Sequence, residues 1–253
     1  MKSKNAKRQS YAAVIKQLKA AGSASTRKTY ARHGVKGASF GVSYTVLKQL
    51  DKQVADDFEL AEKLWASGNH DARVFACWIV DIEKVTSKLL DAWAVDVDNH
   101  TLGGELVGLA AFSKFGAKKS SAWRKAKTEI RSAMGWGIVA NLAMQPDRLP
   151  AEGGLSDDEL RACLSDIESK IQDAPNRTRS NMNSALIAIG CRTATTKEAL
   201  IVARRMGAIE VDHGDTSCKT PIAFDTIKKT VAHYKAKGKK PTDGSGGKRR
   251  RHC

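Results

Sequence analysis

Acidic side chains are missing from the front of this chain. From Met1 to Lys36 there are ten Lys or Arg and no Asp or Glu, and from Lys235 to Cys253 eight more face Asp243 alone. With these ends set aside, the stretch from Gly37 to Tyr234 holds 25 basic and 26 acidic residues, so the whole surplus of +16 sits at the two ends. A neutral body with basic arms suits a polyanionic partner, because each Lys or Arg brought to a phosphate releases condensed counterions. The alternative is a basic protein with solvated tails.

Other absences narrow the classes. No apolar run approaches the ~20 residues that span a bilayer, and the start Met1-Lys-Ser-Lys-Asn-Ala-Lys-Arg has no apolar stretch of the secretory kind. The expectation is an intracellular protein with no membrane partner. The five cysteines (Cys77, Cys163, Cys191, Cys218, Cys253) are odd in number, far apart and never in Cys-x-x-Cys spacing, which argues against a disulfide framework or a zinc knuckle. There is no Gly-x-x-x-x-Gly-Lys-Ser/Thr, no Gly-x-Gly-x-x-Gly after a strand and no His-Glu-x-x-His, so no motif supports nucleotide hydrolysis, dinucleotide binding or zinc proteolysis. Asp212, His213, Asp215 and Cys218 crowd one short loop without paired metal-ligand spacing, and are read as turn-forming side chains; no metal and no cofactor are expected. A helix-turn-helix with a polar recognition face is also missing, which disfavours a sequence-specific repressor.

Sustained two-residue alternation is lacking too, whereas apolar residues recur at helical spacing from Asp51 to Tyr234. Phe58, Ala61 and Trp65 form one stripe, Val74, Phe75 and Trp78 another, then Ile82, Val85, Leu89 and Trp93, then Leu102, Leu106 and Leu109. Ser156 with Glu159 reads as a capping box ahead of Leu160, Leu164, Ile167 and Ile171. Thr195 with Glu198 and Thr220 with Pro221 are read as further helix starts, Asp98 or Asn99 as an N-cap, and Gly190 and Gly207 as helix stops. Short helices joined by brief turns stack as antiparallel pairs, so the expected fold is all-α, an α-solenoid of HEAT-like helix pairs in a single curved domain, with a compact bundle as the alternative. The expected organisation is a basic N-terminal arm with a docking helix over residues 1–28, a helical-repeat domain over 29–236, and a disordered basic tail over 237–253.

Candidate contact residues follow from chemistry. Arg177 and Arg179 open a helix after Pro175-Asn176, where unpaired N–H groups and two guanidinium groups would make a phosphate clamp. Trp123 has Ser120, Ser121, Arg124, Lys125 and Lys127 as neighbours, an aromatic and basic combination suited to nucleic acid. Lys28, Arg32 and Lys36 belong to the acid-free front. Glu105, beside the stripe Leu102 and Leu106, is expected to be partly shielded or at the lip of a groove.

Four stretches carry a resemblance: Tyr30-Ala-Arg-His-Gly-Val-Lys-Gly with Phe40-Gly-Val-Ser, Leu64-Trp-Ala-Ser-Gly-Asn-His-Asp-Ala-Arg73, Met182-Asn-Ser-Ala-Leu-Ile-Ala-Ile-Gly190, and Val211-Asp-His-Gly-Asp-Thr-Ser-Cys-Lys-Thr-Pro221. Over about Thr29 to Ala236 the chain resembles the DNA alkylation repair family of HEAT-like repeat proteins. The resemblance implies a curved helical solenoid that wraps double-stranded DNA. It also implies a DNA glycosylase excising cationic alkylpurines such as 3-methyladenine and 7-methylguanine without flipping the base.

The family's glycosylases have a Trp and, four residues later, an Asp on the helix that begins here at Asp98-Asn99; this sequence has His100 and Gly104 there. A second cleft Trp falls near Ser184, and an Arg at Ala133 before Gly135-Trp136, with Arg131 two residues away. One reading is therefore a glycosylase in which Glu105 stabilises the developing sugar cation and His100 or Trp123 lines the cleft. The other is a non-catalytic clamp for damaged, bent or branched DNA that has lost the carboxylate. A protein-binding solenoid with incidental tails is the third. The expected setting is bacterial-type cytoplasm, nucleoid-associated, with the chain a monomer.

Overall fold

A computed structural model of the protein describes residues 6–240. Lys2, Lys4, Asp243 and the tail basic residues Lys248 to Arg251 lie outside the described residues, as does most of the expected tail. Thirteen α-helices and three 3₁₀ turns make up the regular structure of the described residues, with one isolated bridge between Lys7 and Val54. The chain divides into two compact units, with the division between Leu109 and Ala110.

The first unit contains α1 (Tyr11–Ala20), α2 (Ala24–Arg32), α3 (Tyr44–Asp51), α4 (Phe58–Ala66), α5 (His70–Ile79), α6 (Ser87–Val95) and the start of α7 (His100–Phe112). Most of its helices begin on a side chain that can accept a bond from the first turn: Ser10, Ser23, Ser43, Asp57, Asn69 and Thr86 each take the N–H three residues on. Such caps satisfy donors that the helix itself leaves open, at about 1 kcal/mol each. Asn99 does the same for Leu102 at 2.9 Å, while its own amide donates to Asp98 at 2.7 Å. Of the two expected capping residues, Asn99 is the cap and Asp98 braces it.

The N-terminal helix α1 buries Val14 and Leu18. A second helix, α2, follows at once and crosses the expected boundary between the arm (1–28) and the helical-repeat domain (29–236). Its polar composition hides it: Tyr30 is its one buried residue. The stripe Ile82, Val85, Leu89, Trp93 is likewise not one helix. A 3₁₀ turn at Ile82–Lys84 ends at Val85, and Thr86 caps a new helix.

The second unit contains α8 (Gly116–Arg124), α9 (Glu129–Ala143), α10 (Asp157–Lys170), α11 (Asn176–Gly190), α12 (Thr196–Met206) and α13 (Ala223–Ala236). Helix α9 packs against both α8 and α11. Gly135 makes the first of these contacts possible, since a Cβ there would lie 2.3 Å from the Arg124 amide nitrogen. The capping box forms as expected, with Ser156 Oγ accepting from Glu159 N at 3.2 Å and the Glu159 carboxylate accepting from Ser156 N at 2.8 Å.

Of two other expected helix starts, one holds and one is corrected. Helix α12 begins at Thr196 with Thr195 at its N-cap position, but the buried Thr195 hydroxyl makes no cap bond and donates to Ile189 O at 2.7 Å, and Glu198 binds Arg161. Thr220 and Pro221 precede a helix that begins only at Ala223, because the Thr220 hydroxyl meets His213 Nε2 at 2.9 Å and Asn183 donates to Pro221 O at 2.9 Å.

Candidate nucleic-acid interface

In the first unit a single buried carboxylate organises the loop that leads out of α2. Asp71, fully buried at the start of α5, accepts from Ser39 Oγ (2.9 Å), Phe40 N (2.6 Å), Gly41 N (3.1 Å) and Val42 N (2.8 Å). The Tyr30 hydroxyl donates to Val42 O at 2.5 Å and His70 N to Ala38 O at 2.8 Å. Gly41 closes the arrangement with φ 77°, and a Cβ there would meet Ser23 O at 2.4 Å. Bonds to an ionised acceptor are about twice as strong as neutral ones, so this loop is rigid rather than merely irregular.

That rigidity fixes the basic residues at its mouth. Lys28 and Arg32 lie one turn apart on α2, Lys36 follows on the loop, and all three are exposed. No acid occurs anywhere between Ala6 and Leu50. His33 packs edge to face against His100 with ring centres 6.0 Å apart, and a Cβ on Gly37 would lie 3.7 Å from Asp98 Oδ2, so the loop abuts the start of α7. The structure thus brings His33 beside His100, with Arg32 next to His33 in the chain and Lys36 on the same loop. Gly104, one turn on from His100, is exposed, and a side chain there would meet nothing within 4 Å.

Glu105 faces a different way from Gly104, as a residue 100° further round a helix must. Its carboxylate accepts from the Trp78 indole N–H at 2.5 Å and bonds with the Tyr44 hydroxyl. Burial, and after it the Glu105 charge, push the Tyr44 phenol far above its ordinary range, so Tyr44 remains the donor. The Tyr30 hydroxyl is raised for the same first reason, with Asp71 and Glu105 adding to it. Glu105 is half-buried, as expected, but among aromatic donors whose role the sequence does not announce; Trp78 stands there only as a stripe residue.

In the second unit the expected contact residues differ in burial and in what they bind. Trp123 is a correction: at 2 % exposure it is a core residue, with Lys119, equally buried, over its ring. Position in a basic stretch says nothing about which face of α8 a ring occupies. Arg124 lies over the Trp136 ring at 4.8 Å and binds Asp166 at 3.3 Å. Together with Lys170 and Met182 these line a cavity of about 360 Å³. Lys125 is exposed at the end of α8, and Arg131 is half-buried in the first turn of α9.

The anticipated phosphate clamp at the start of α11 is already supplied with an anion, because Glu129 accepts from Arg177 N at 2.6 Å. Arg179 spends its guanidinium on the carbonyls of Ala174 (3.0 and 3.2 Å) and Glu210 (3.3 Å). The loop with Asp212 is knitted as a turn: Asn176 exchanges two bonds with the Asp212 backbone, Asp212 Oδ1 accepts from Gly214 N at 2.7 Å, and Thr216 Oγ1 donates to His213 O at 3.0 Å. Ser184, where a cleft Trp was sought, is exposed, and Ala133 is buried.

Comparison with known proteins adds the class. A solved structure described as "a new family of proteins related to the HEAT-like repeat DNA glycosylases with affinity for branched DNA structures" superposes with a TM-score of 0.80 at 24 % identity, covering 89 % of this chain and 95 % of that one. The fold is therefore the all-α HEAT-like repeat fold. The family model described as "DNA alkylation repair enzyme" matches residues 14–212, and the chain belongs to that family. Two bacterial relatives, uncharacterized proteins of Listeria innocua and Listeria monocytogenes, are each 27 % identical over 224 residues, covering 84 % of this chain and 93 % of their own. No helix among the described residues is long and apolar enough to cross a membrane.

Proposed function

We propose that this protein grips DNA through its phosphates, with damaged, bent or branched DNA as the substrate class, and does not break the glycosidic bond itself. One observation carries the reading. The position where the family's glycosylases have their Asp is an exposed glycine with open space around it, one turn along α7 from His100, while the neighbouring acid, Glu105, is held by Trp78 and Tyr44. Glycine removes a negative charge from a surface that a polyanion would approach and lets a backbone come close. The acid-free front supports the same reading, as does the affinity for branched DNA named for the solved relative. The chain would act as a monomer, on nucleoid DNA in the cytoplasm.

A second reading keeps the chemistry, excision of 3-methyladenine or 7-methylguanine type bases. It is favoured by Glu105, whose carboxylate lies one residue from Gly104 with two hydrogen-bond donors to orient it. The test joins both. The protein is incubated with methylated duplex DNA and released bases are measured, while binding to linear and four-way-junction DNA is followed across salt. The first reading expects base release at background and affinity falling by orders of magnitude between about 50 and about 200 mM salt. Release that Glu105→Ala abolishes would establish the second reading, and weak binding that ignores salt would defeat both.

A further inference from the structure

The His33 and His100 rings are the one pair of imidazoles in contact among the described residues. They come from separate elements: His33 caps the end of α2, and His100 opens α7. His33 is half-buried and His100 exposed. The charged groups nearest the pair along the chain are Arg32 on α2, Lys36 on the loop, Asp98 on the turn before α7, and Glu105 further along α7, the last engaged by Trp78 and Tyr44. Asp98 in turn accepts from Asn99 Nδ2. The open ground beside the pair is Gly104.

Imidazole changes charge within the physiological range. Two such rings with centres 6.0 Å apart repel when both are protonated, and the positive end of α7 and the guanidinium and ammonium of Arg32 and Lys36 add to that cost. An anion between them reverses the sign. A phosphodiester offers two oxygens that can each accept from one ring N–H at about 2.8 Å, a charge-assisted bond once the ring is protonated.

Resting on the DNA reading given above, we propose that His33 and His100 form a proton-linked phosphate site, binding one phosphodiester of the DNA backbone with uptake of protons. Gly104 is then the gap through which that phosphate approaches. His100 contacts the backbone, not the sugar of an excised nucleotide, and His33 is its partner rather than a by-product of the loop.

The test measures affinity for a fixed duplex at constant ionic strength from about pH 8 to about pH 6. The wild-type protein should bind about tenfold more tightly at the lower pH, the gain expected when on average about half a proton is taken up on binding across those two pH units. The double variant His33→Gln, His100→Gln should lose most of that rise while keeping the salt dependence that Lys28, Arg32 and Lys36 provide. Thermal melting of the variant checks that it folds. Imidazole NMR of the wild-type protein gives a second readout: two ring signals should titrate at higher pH with DNA bound than without. An unchanged pH slope in the folded double variant, or ring signals indifferent to DNA, would overturn the site and leave DNA binding standing. A wild-type protein that binds DNA at no pH would sink the DNA reading and this site with it.

Discussion

Trp65 and Trp93 lie face to face, their ring centres 4.3 Å apart and their planes within 2° of parallel. The pair joins α4 to α6 and is closed from outside: Trp65 Nε1 donates to Asp96 Oδ2 at 2.7 Å, and Arg73 on α5 covers Trp65 at 5.3 Å while binding Trp65 O and Asp96 O. Both rings are 4 % exposed, so this is a core joint with a polar lid. Trp93→Ala should cost about 3–5 kcal/mol in chemical denaturation, as deletion of a buried aromatic generally does. Asp96→Ala should cost about 1–2 kcal/mol, since it removes one charge-assisted bond near solvent. Equal losses for the two variants would mean that the lid and not the stack holds the joint.

Asp71→Asn tests the loop. The substituted amide keeps one acceptor, but its NH₂ would confront N–H donors, so a loss of about 2–4 kcal/mol is expected. Amide exchange should speed up at Phe40, Gly41 and Val42 well before it does so in α9. If those three amides stay as protected as in the parent, the carboxylate is not what organises Lys36.

Gly104 lies in a helix, exposed, with room for a side chain. Gly104→Ala should raise stability by about 0.5–1 kcal/mol, because glycine gives up more backbone freedom on entering a helix than alanine does. Gly104→Asp should fold as well as the parent yet bind DNA more weakly, through a negative charge added one turn from His100. Destabilisation by the alanine variant would show that something does cover this face.

His70 supplies an acid-side prediction. Its side chain is 3 % exposed, neither ring nitrogen has a hydrogen-bond partner, and Tyr30 lies edge-on at 5.0 Å. Burial lowers its pKa from the ordinary 6.5, a pull that Asp71 and Asp98 only partly offset. The folded state thus favours the neutral ring, and the unfolded chain binds the proton more readily. The resulting stability is complete above about pH 6.5 and is lost as pH falls through the lower folded value. His70→Phe should therefore flatten the decline in melting temperature between about pH 7 and about pH 5, and an equally steep decline would assign acid sensitivity to other groups.

The helices and several of their caps were legible in the chain, because a stripe such as Leu160, Leu164, Ile167, Ile171 and a box such as Ser156 with Glu159 are local statements. What escaped was set by partners far away in sequence. Nothing near Asp71 announces that residues thirty positions earlier will close on it. Trp123 sits among lysines and serines in sequence, yet which of them share its helix face is a question of packing. The start of α11 carried the right chemistry for a phosphate, and it was the carbonyl of Ala174 that claimed the Arg179 guanidinium and the carboxylate of Glu129 that claimed the Arg177 backbone N–H. Helix α2 shows the converse case, a segment with one buried residue whose helicity rests on the Ser23 cap and on Tyr30 alone.

Arg148 illustrates how these claims add up. Its guanidinium gathers the carbonyls of Ala111, Phe112, Ser113 and Glu152. Arg124, Arg161, Arg179 and Arg192 are similarly committed to carboxylates or carbonyls, whereas Lys28, Lys36 and Lys125 stand exposed. Net charge therefore overstates what a polyanion can feel, since arginine serves largely as mortar between turns and lysine as the outward field. The two can vary independently over evolutionary time. Replacing a surface lysine therefore alters the outward field without disturbing one of the arginine bonds that keep the turns together.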